Sequence, residues 1–189
     1  MPSTSLSYFD AMYRDPDPWG YESRWYEQRK YAVTLAALGR ERYRRAFEPG
    51  CSIGVLSAQL ADRCDHLVAA DFHEGALDRA RQRLQGRTNV ELQVCEVPRE
   101  WPSGTFDLVV LSEVAYYLDL DTHEALIERV ASCLAPGGEV VLVHWLGETD
   151  YPQTGDATHE RWLADPRFRV TCAVRDAEFR LEVLTASDG

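Results

Sequence analysis

Residues 45–54 read RAFEPGCSIG: a short apolar stretch that breaks into Glu48, Gly50 and Gly54 before a helical pattern begins. An E-x-G-x-x-x-G turn between a strand and a helix lets the backbone come close to a ligand. Cys51 and Ser52 fill the turn. Ser52 stands where a pyrophosphate-binding G-x-G-x-x-G turn has its second glycine, so the turn suits a ligand without that group. Asp71 ends the next apolar stretch, HLVAAD, 21 residues after Gly50. A carboxylate there can accept hydrogen bonds from both hydroxyls of a ribose, or it can cap the helix that follows. Phe72 can pack on a base or belong to the core.

Two periods alternate around these residues. Apolar stretches at 45–49, 66–71, 90–95, 106–112 and 139–145 read as strands, and 55–63, 75–84, 123–134 and 158–164 read as helices. FDLVVLS (106–112) is apolar on both faces, as a central parallel strand is. Repeated alternation predicts a doubly wound α/β sheet. Stretches 168–175 and 178–185 are separated only by Asp176 and Ala177, too few for a parallel crossover, so the sheet should end in an antiparallel hairpin. In front lies a short helix around 7–13, then a second helix in YESRWYEQRKYAVTLAALG with Trp25, Tyr26, Arg29, Val33, Ala36 and Ala37 at helical spacing. The expected organisation is one structural domain: a helical extension over 1–40 and a seven-stranded, mostly parallel sheet domain over 41–189.

Such a sheet, with its reversed last strand, resembles that of class I S-adenosylmethionine-dependent methyltransferases. In that class the acidic residue after the third strand accepts from the adenine amino group and the next backbone N–H faces the ring; Glu96 and Val97 fit those roles. Ser112 and Glu113 end the fourth strand at the edge where open α/β sheets bind ligands. LAPGGEVVL is similar to the turn leading many of these enzymes into their fifth strand. A narrower resemblance rests on DPWGYESRWYEQRKY, EPGCSIGVLS, SEVAYYL and HW followed by YPQTGDATHE. These are similar to the nodulation protein S family of N-methyltransferases. That family implies S-adenosylmethionine as cofactor and a lid over 19–31. Trp19, Trp25 and Tyr26 would cover the cofactor, with Arg24, Arg29 or Lys30 near its carboxylate.

Methyl transfer needs alignment and exclusion of water. An amine acceptor must also be neutral, and histidine is a natural base near neutral pH. His144 at the end of the fifth strand and His159 beyond it are therefore candidate catalytic groups, with Tyr116 and Tyr117 as substrate contacts. Each has a structural alternative: a hydrogen-bonded strand-end histidine, or loop packing. Glu113, Tyr151 and Asp156 are further candidates to hold a polar substrate. A small-molecule or saccharide amine is the expected acceptor. An O-methyltransferase, or a binding protein without catalysis, is the alternative.

The 189 residues carry 20 basic and 31 acidic side chains, a net charge of −11. That balance repels phosphate backbones, which argues against nucleic acid and anionic membranes as partners. Five cysteines without a C-x-x-C pair argue against a disulfide framework or zinc site, and no metal is expected. With no basic start, no apolar leader and no apolar run of membrane-spanning length, a cytoplasmic monomer or weak homodimer is expected.

Overall fold

A computed structural model describes residues 3–187. Seven strands form one sheet: β1 (Tyr43–Pro49), β2 (Cys64–Asp71), β3 (Val90–Val94), β4 (Phe106–Ser112), β5 (Leu134–Trp145), β6 (Phe168–Arg175) and β7 (Phe179–Ala186). Their spatial order is β3-β2-β1-β4-β5-β7-β6. The first five pair in parallel, and β7 runs antiparallel to both neighbours. The chain winds one way from β1 to β3 and the other way from β4, so the carboxyl ends of β1 and β4 flank the switch point where such sheets bind ligands.

The six α-helices among the described residues are α1 (Leu6–Met12), α2 (Trp25–Ala37), α3 (Val55–Leu60), α4 (Glu74–Arg83), α5 (Leu120–Cys133) and α6 (Gly155–Leu163). Strand side chains alternate between two cores. Leu108, Val110, Val141 and Val143 pack with Tyr31 of α2, Leu56 of α3 and Leu77 of α4. Val109, Leu111, Val140 and Leu142 pack with Leu126 and Val130 of α5 and Trp162 of α6. Phe106 and Leu108 through Leu111 of β4 are fully buried, as the doubly apolar pattern requires. Burying each such side chain contributes about 1.5–3 kcal/mol.

Two local expectations need correction. The apolar positions of α2 do not form its buried face. The helix buries Glu27, Lys30, Tyr31 and Thr34, spaced i, i+3, i+4, i+7, while Trp25 is 72% exposed. Ion pairing replaces apolar burial along this face, with Lys30 Nζ 2.9 Å from Glu27 and 2.7 Å from Glu113. The turn in LAPGGEVVL lies inside β5 rather than before it. Pairing runs from Phe106 with Leu134 to Leu108 with Glu139, so the extra residues form an irregularity in one continuous strand.

Candidate active site

Four strand ends and the N-terminal segment enclose a cavity of about 420 Å³. The sheet side supplies Gly50 and Ser52 after β1, Asp71 and Phe72 at β2, Cys95, Glu96 and Val97 after β3, and Ser112, Glu113 and Val114 at β4. Tyr117, Leu118 and Thr122 close one flank; Thr4, Phe9, Tyr13, Trp19 and Tyr21 form the roof. Its size lies in the range of pockets that enclose small ligands and cofactors. No lysine, arginine or histidine lines it among the described residues, whereas three carboxylates and six aromatic rings do.

The floor is built by a strained turn. Gly50 has φ +69°, and a Cβ there would lie 2.5 Å from Cγ2 of Val114, so only glycine lets the β1 and β4 ends approach this closely. Ser52 (φ 50°) and Glu113 (φ 58°) also occupy the left-handed region, which costs a non-glycine residue about 1–2 kcal/mol. Such strain concentrates at ligand sites. Gly54 serves differently. With φ +78° it opens α3, and a Cβ would press on Ala80 of α4 at 3.1 Å, so it permits close packing of two helices and does not reach the cavity.

Asp71 is buried, with Oδ2 accepting from the Ser52 N–H (3.0 Å) and Oδ1 from the His73 N–H (2.9 Å). It is not the cap of α4: His73 caps that helix, Nδ1 accepting from the Ala76 N–H. Each carboxylate oxygen accepts one of these bonds and has a second lone pair, and Asp71 lines the cavity. Burial raises the Asp71 pKa to about 6, against the pull of the His73 and Ser52 amides. Glu48 lies just behind the turn, beside a void of about 20 Å³ shared with Tyr21, Tyr31 and Glu113. Its Oε2 has no hydrogen-bond partner among the described residues, and burial lifts its pKa to about 8. Cys51 is buried beside the same void.

Glu113 joins the site to α2. Its Oε1 accepts from Lys30 Nζ (2.7 Å) and from the Tyr26 hydroxyl (3.3 Å), and its Oε2 accepts from the Trp145 N–H (3.0 Å). Lys30 and Tyr26 are thus committed to Glu113 and stand outside the cavity wall. Arg24 lies over the Tyr26 ring at 5.7 Å, and Arg29 pairs with Asp176 at the hairpin (2.5 Å), so neither lines the cavity. Trp25 points to solvent. Of the expected lid aromatics, Trp19 alone reaches the cavity.

The histidines differ most from expectation. His144 is fully buried and does not line the cavity. Its Nε2 accepts from the Ala115 N–H (3.2 Å) and its Nδ1 meets His159 Nε2 at 2.9 Å. The Tyr116 ring lies against it, centroids 5.1 Å apart. With no lone pair or proton available to a cavity ligand, His144 cannot act as a base there, and His159, one residue deeper, cannot either. Burial, then His159, His123 and Lys30, push the His144 pKa well below the imidazole range. Tyr116 is buried in the same wall, and Tyr117 alone of this group faces the cavity. Of the other polar-substrate candidates, Tyr151 hydrogen-bonds the Tyr8 hydroxyl (2.9 Å) and Asp156 pairs with Arg175 and Arg180.

Phe9 and Tyr13 are functional candidates that the strand-end motifs do not reveal. Their i, i+4 spacing in YFDAMY is the available signal. Phe9 contacts both Phe72 and Tyr117 edge-on, each at 5.0 Å. The Tyr13 hydroxyl donates to Ser52 Oγ (2.7 Å). Arg79 of α4 holds the segment down by donating to the Tyr13, Asp15 and Pro16 carbonyls, and Ser3 Oγ donates to Asp119 (2.7 Å) at the other end.

A family model for nodulation protein S matches residues 10–145, well over half of the chain. The chain belongs to the nodulation protein S family. Nodulation protein S of Rhizobium tropici is 30% identical over 148 residues, covering 77% of this chain and 58% of that protein. The Bradyrhizobium diazoefficiens protein is 34% identical over 122 residues, 64% of this chain and 58% of that protein. The chain therefore spans less than two thirds of the length of these relatives. Among solved structures, one from Pseudomonas syringae, provisionally assigned as a methyltransferase, is 40% identical with a TM-score of 0.77, covering 86% of this chain and 99% of that one. The N-methyltransferase NodS of Bradyrhizobium japonicum, bound to S-adenosylhomocysteine, has a TM-score of 0.82 at 22% identity, covering 96% of this chain and 98% of that one. The sheet of this family member is the Rossmann-like methyltransferase sheet, with its antiparallel C-terminal strands.

Proposed function

We propose that this family member is an S-adenosylmethionine-dependent N-methyltransferase. The cavity fits that cofactor on its own terms. Asp71 offers two uncommitted lone pairs for ribose hydroxyls. Phe72, Glu96 and the Val97 N–H border one end for adenine, and the Gly50 turn leaves room where a Cβ would intrude. The orphaned Glu48 oxygen behind the turn suits an ammonium group. Bound there, the cofactor would supply an electrophilic methyl group on a sulfonium. The related solved structures of this fold are methyltransferases, and the Bradyrhizobium japonicum one carries S-adenosylhomocysteine.

One observation favours an amine acceptor. The cavity wall is acidic and aromatic and has no cationic side chain among the described residues. Aromatic faces and carboxylates attract a sulfonium, carboxylates can accept from the N–H of a neutral amine, and both disfavour a carboxylate or phosphate acceptor. The chain's residues bind, align and keep water out. None lining the cavity is left as a ready base once the cofactor is bound: Asp71 and Glu96 would be taken up by its ribose and adenine, Glu113 is held by Lys30, Tyr26 and the Trp145 amide, and burial raises the Tyr13, Tyr21 and Tyr117 hydroxyls above their ordinary value. The amine therefore arrives already neutral. A small molecule or the amine of a sugar is the acceptor class, and a soluble cytoplasmic monomer or weak dimer is the working form. No helix among the described residues is long and apolar enough to cross a membrane.

Residues 3–21 act as a lid over the bound cofactor. Calorimetry with S-adenosylhomocysteine and with NAD tests the binding half of the reading. Saturable binding of the first and little of the second is expected; tight NAD binding without response to S-adenosylhomocysteine rules the reading out.

A further inference from the structure

A chain of buried polar groups runs beneath the cavity from the sheet surface to the turn that carries Tyr117. It begins at Arg180 of β7, whose Nε donates to Glu182 Oε1 (2.7 Å). Glu182 Oε2 meets His159 Nδ1 of α6, His159 Nε2 lies 2.9 Å from His144 Nδ1 of β5, and His144 Nε2 meets the Ala115 N–H. Both histidines are fully buried, and Glu182 nearly so.

The protons in this chain are fixed by its last member. A backbone amide can only donate, so His144 Nε2 must hold a lone pair. A neutral His144 then carries its proton on Nδ1 and donates to His159 Nε2. His159 in turn carries its proton on Nδ1 and donates to the Glu182 carboxylate. Every donor meets an acceptor in this one arrangement. Protonating either histidine, or moving the His144 proton to Nε2, sets two donors face to face.

The Ala115 amide opens a short 3-10 turn, Ala115–Tyr117. Within it Tyr116 packs on the His144 ring and Tyr117 faces the cavity. The Thr4 N–H also donates to the Tyr117 carbonyl (2.8 Å), so the turn anchors the start of the lid. We propose that Glu182, His159 and His144 are positioning residues that hold the Ala115–Tyr117 turn, and with it Tyr117, in the geometry that receives the acceptor. The acceptor half of this proposal rests on the methyltransferase reading; the proton arrangement does not. The charged and titratable groups around His144 are Tyr116 on the turn, His123 on α5, His159 on α6, Lys30 on α2, and Arg180 and Glu182 on β7. Burial alone would raise Glu182, but His159 and Arg180 together hold it below the ordinary carboxylate value, which keeps the far end of the chain an acceptor.

NMR of the imidazole nitrogens in the full chain tests the arrangement directly. Both His144 and His159 should show the Nδ1–H tautomer, with no protonation of His144 through neutral and mildly acidic pH. An Nε2–H His144, or one titrating like a free imidazole, overturns the proposal. Two variants connect it to function. Glu182→Gln keeps an oxygen that can accept from His159, with Arg180 still held by Asp156 and Glu160. Glu182→Leu removes the acceptor at similar size. With Leu, kcat/KM for the acceptor should fall roughly 10- to 100-fold, as for a small misplacement of a contact group; S-adenosylhomocysteine affinity should fall by less, through the lid anchored on the turn, and Gln should restore most of both losses. Equal kcat/KM in both folded variants overturns the positioning role. If no variant transfers methyl groups at all, the methyltransferase reading has failed. The tautomers, together with faster hydrogen exchange at the Ala115 amide in Glu182→Leu than in Glu182→Gln, then decide whether the chain holds the turn.

Discussion

At Asp71 two demands meet on one carboxylate. It holds the strained turn by accepting from Ser52 and the strand end by accepting from His73, and it keeps lone pairs for a ligand. Charge-assisted hydrogen bonds to two ribose hydroxyls contribute about 2–3 kcal/mol, so Asp71→Ala should weaken S-adenosylhomocysteine roughly 30- to 150-fold by calorimetry while circular dichroism stays native. An unchanged dissociation constant would reduce Asp71 to a scaffold for the turn. Glu48 has the opposite balance, since it is buried with an oxygen unpartnered. Its folded pKa of about 8 lies above the unfolded value of 4.5. Its favourable contribution is therefore complete below about pH 4.5 and is lost as pH rises through about 8. Denaturant titrations of ligand-free protein should show Glu48→Gln gaining on the parent across that window, by roughly 3–5 kcal/mol at its top. Parallel stability curves would mean that Glu48 ionises in both states alike. The glycine turn and Asp71 were legible because their chemistry is local to a strand–helix junction. His144 was not: its place at the carboxyl edge is a matter of sequence, but the ring that covers it and the amide that occupies it come from Tyr116 and Ala115. The parity of β5 did carry a hint, since His144 shares its face with Val140 and Leu142, the face packed by α5 and α6.

At the scale of elements, the strands were readable because β-branched and aliphatic runs buried on both faces leave little choice of structure, as in β4. The reversed hairpin followed from its two-residue connection. The buried face of α2 is not carried by apolar periodicity: Glu27, Lys30 and Thr34 occupy it with Lys30 paired to Glu27 and Glu113, and apolar spacing does not register an ionic face. On α6 the same i, i+3, i+4, i+7 spacing joins Thr158, His159 and Trp162 to Gly155, so the burial of His159 was present in the pattern. The N-terminal segment proposed as a lid is the element whose behaviour is most open to experiment. Arg79 clamps the Tyr13, Asp15 and Pro16 carbonyls from α4. Arg79→Ala should speed amide exchange over residues 6–21 and weaken S-adenosylhomocysteine roughly tenfold, because a competent lid becomes a smaller fraction of the ensemble. Exchange and affinity both equal to the parent would leave the clamp without a role in closure.

At the scale of the whole molecule, an excess of acidic over basic side chains and a cavity wall without a cation among the described residues act in the same direction. Both favour cationic and neutral partners. With no free base in the wall, turnover should follow the acceptor's own ionisation. For two amines of different pKa, the rising limb of kcat/KM against pH should move with the amine, and a limb fixed near about pH 6.5 for both would reveal a histidine base after all. N-methylation is tested by offering the purified chain S-adenosylmethionine with an amino sugar and, in parallel, with the same sugar bearing a hydroxyl in place of the amine. Mass spectrometry with fragmentation then locates any added methyl group. One or more methyl groups on nitrogen and none on the hydroxyl analogue are expected. Methylation of oxygen alone, or no transfer to any amine by a chain that binds S-adenosylhomocysteine, would contradict the N-methyltransferase reading.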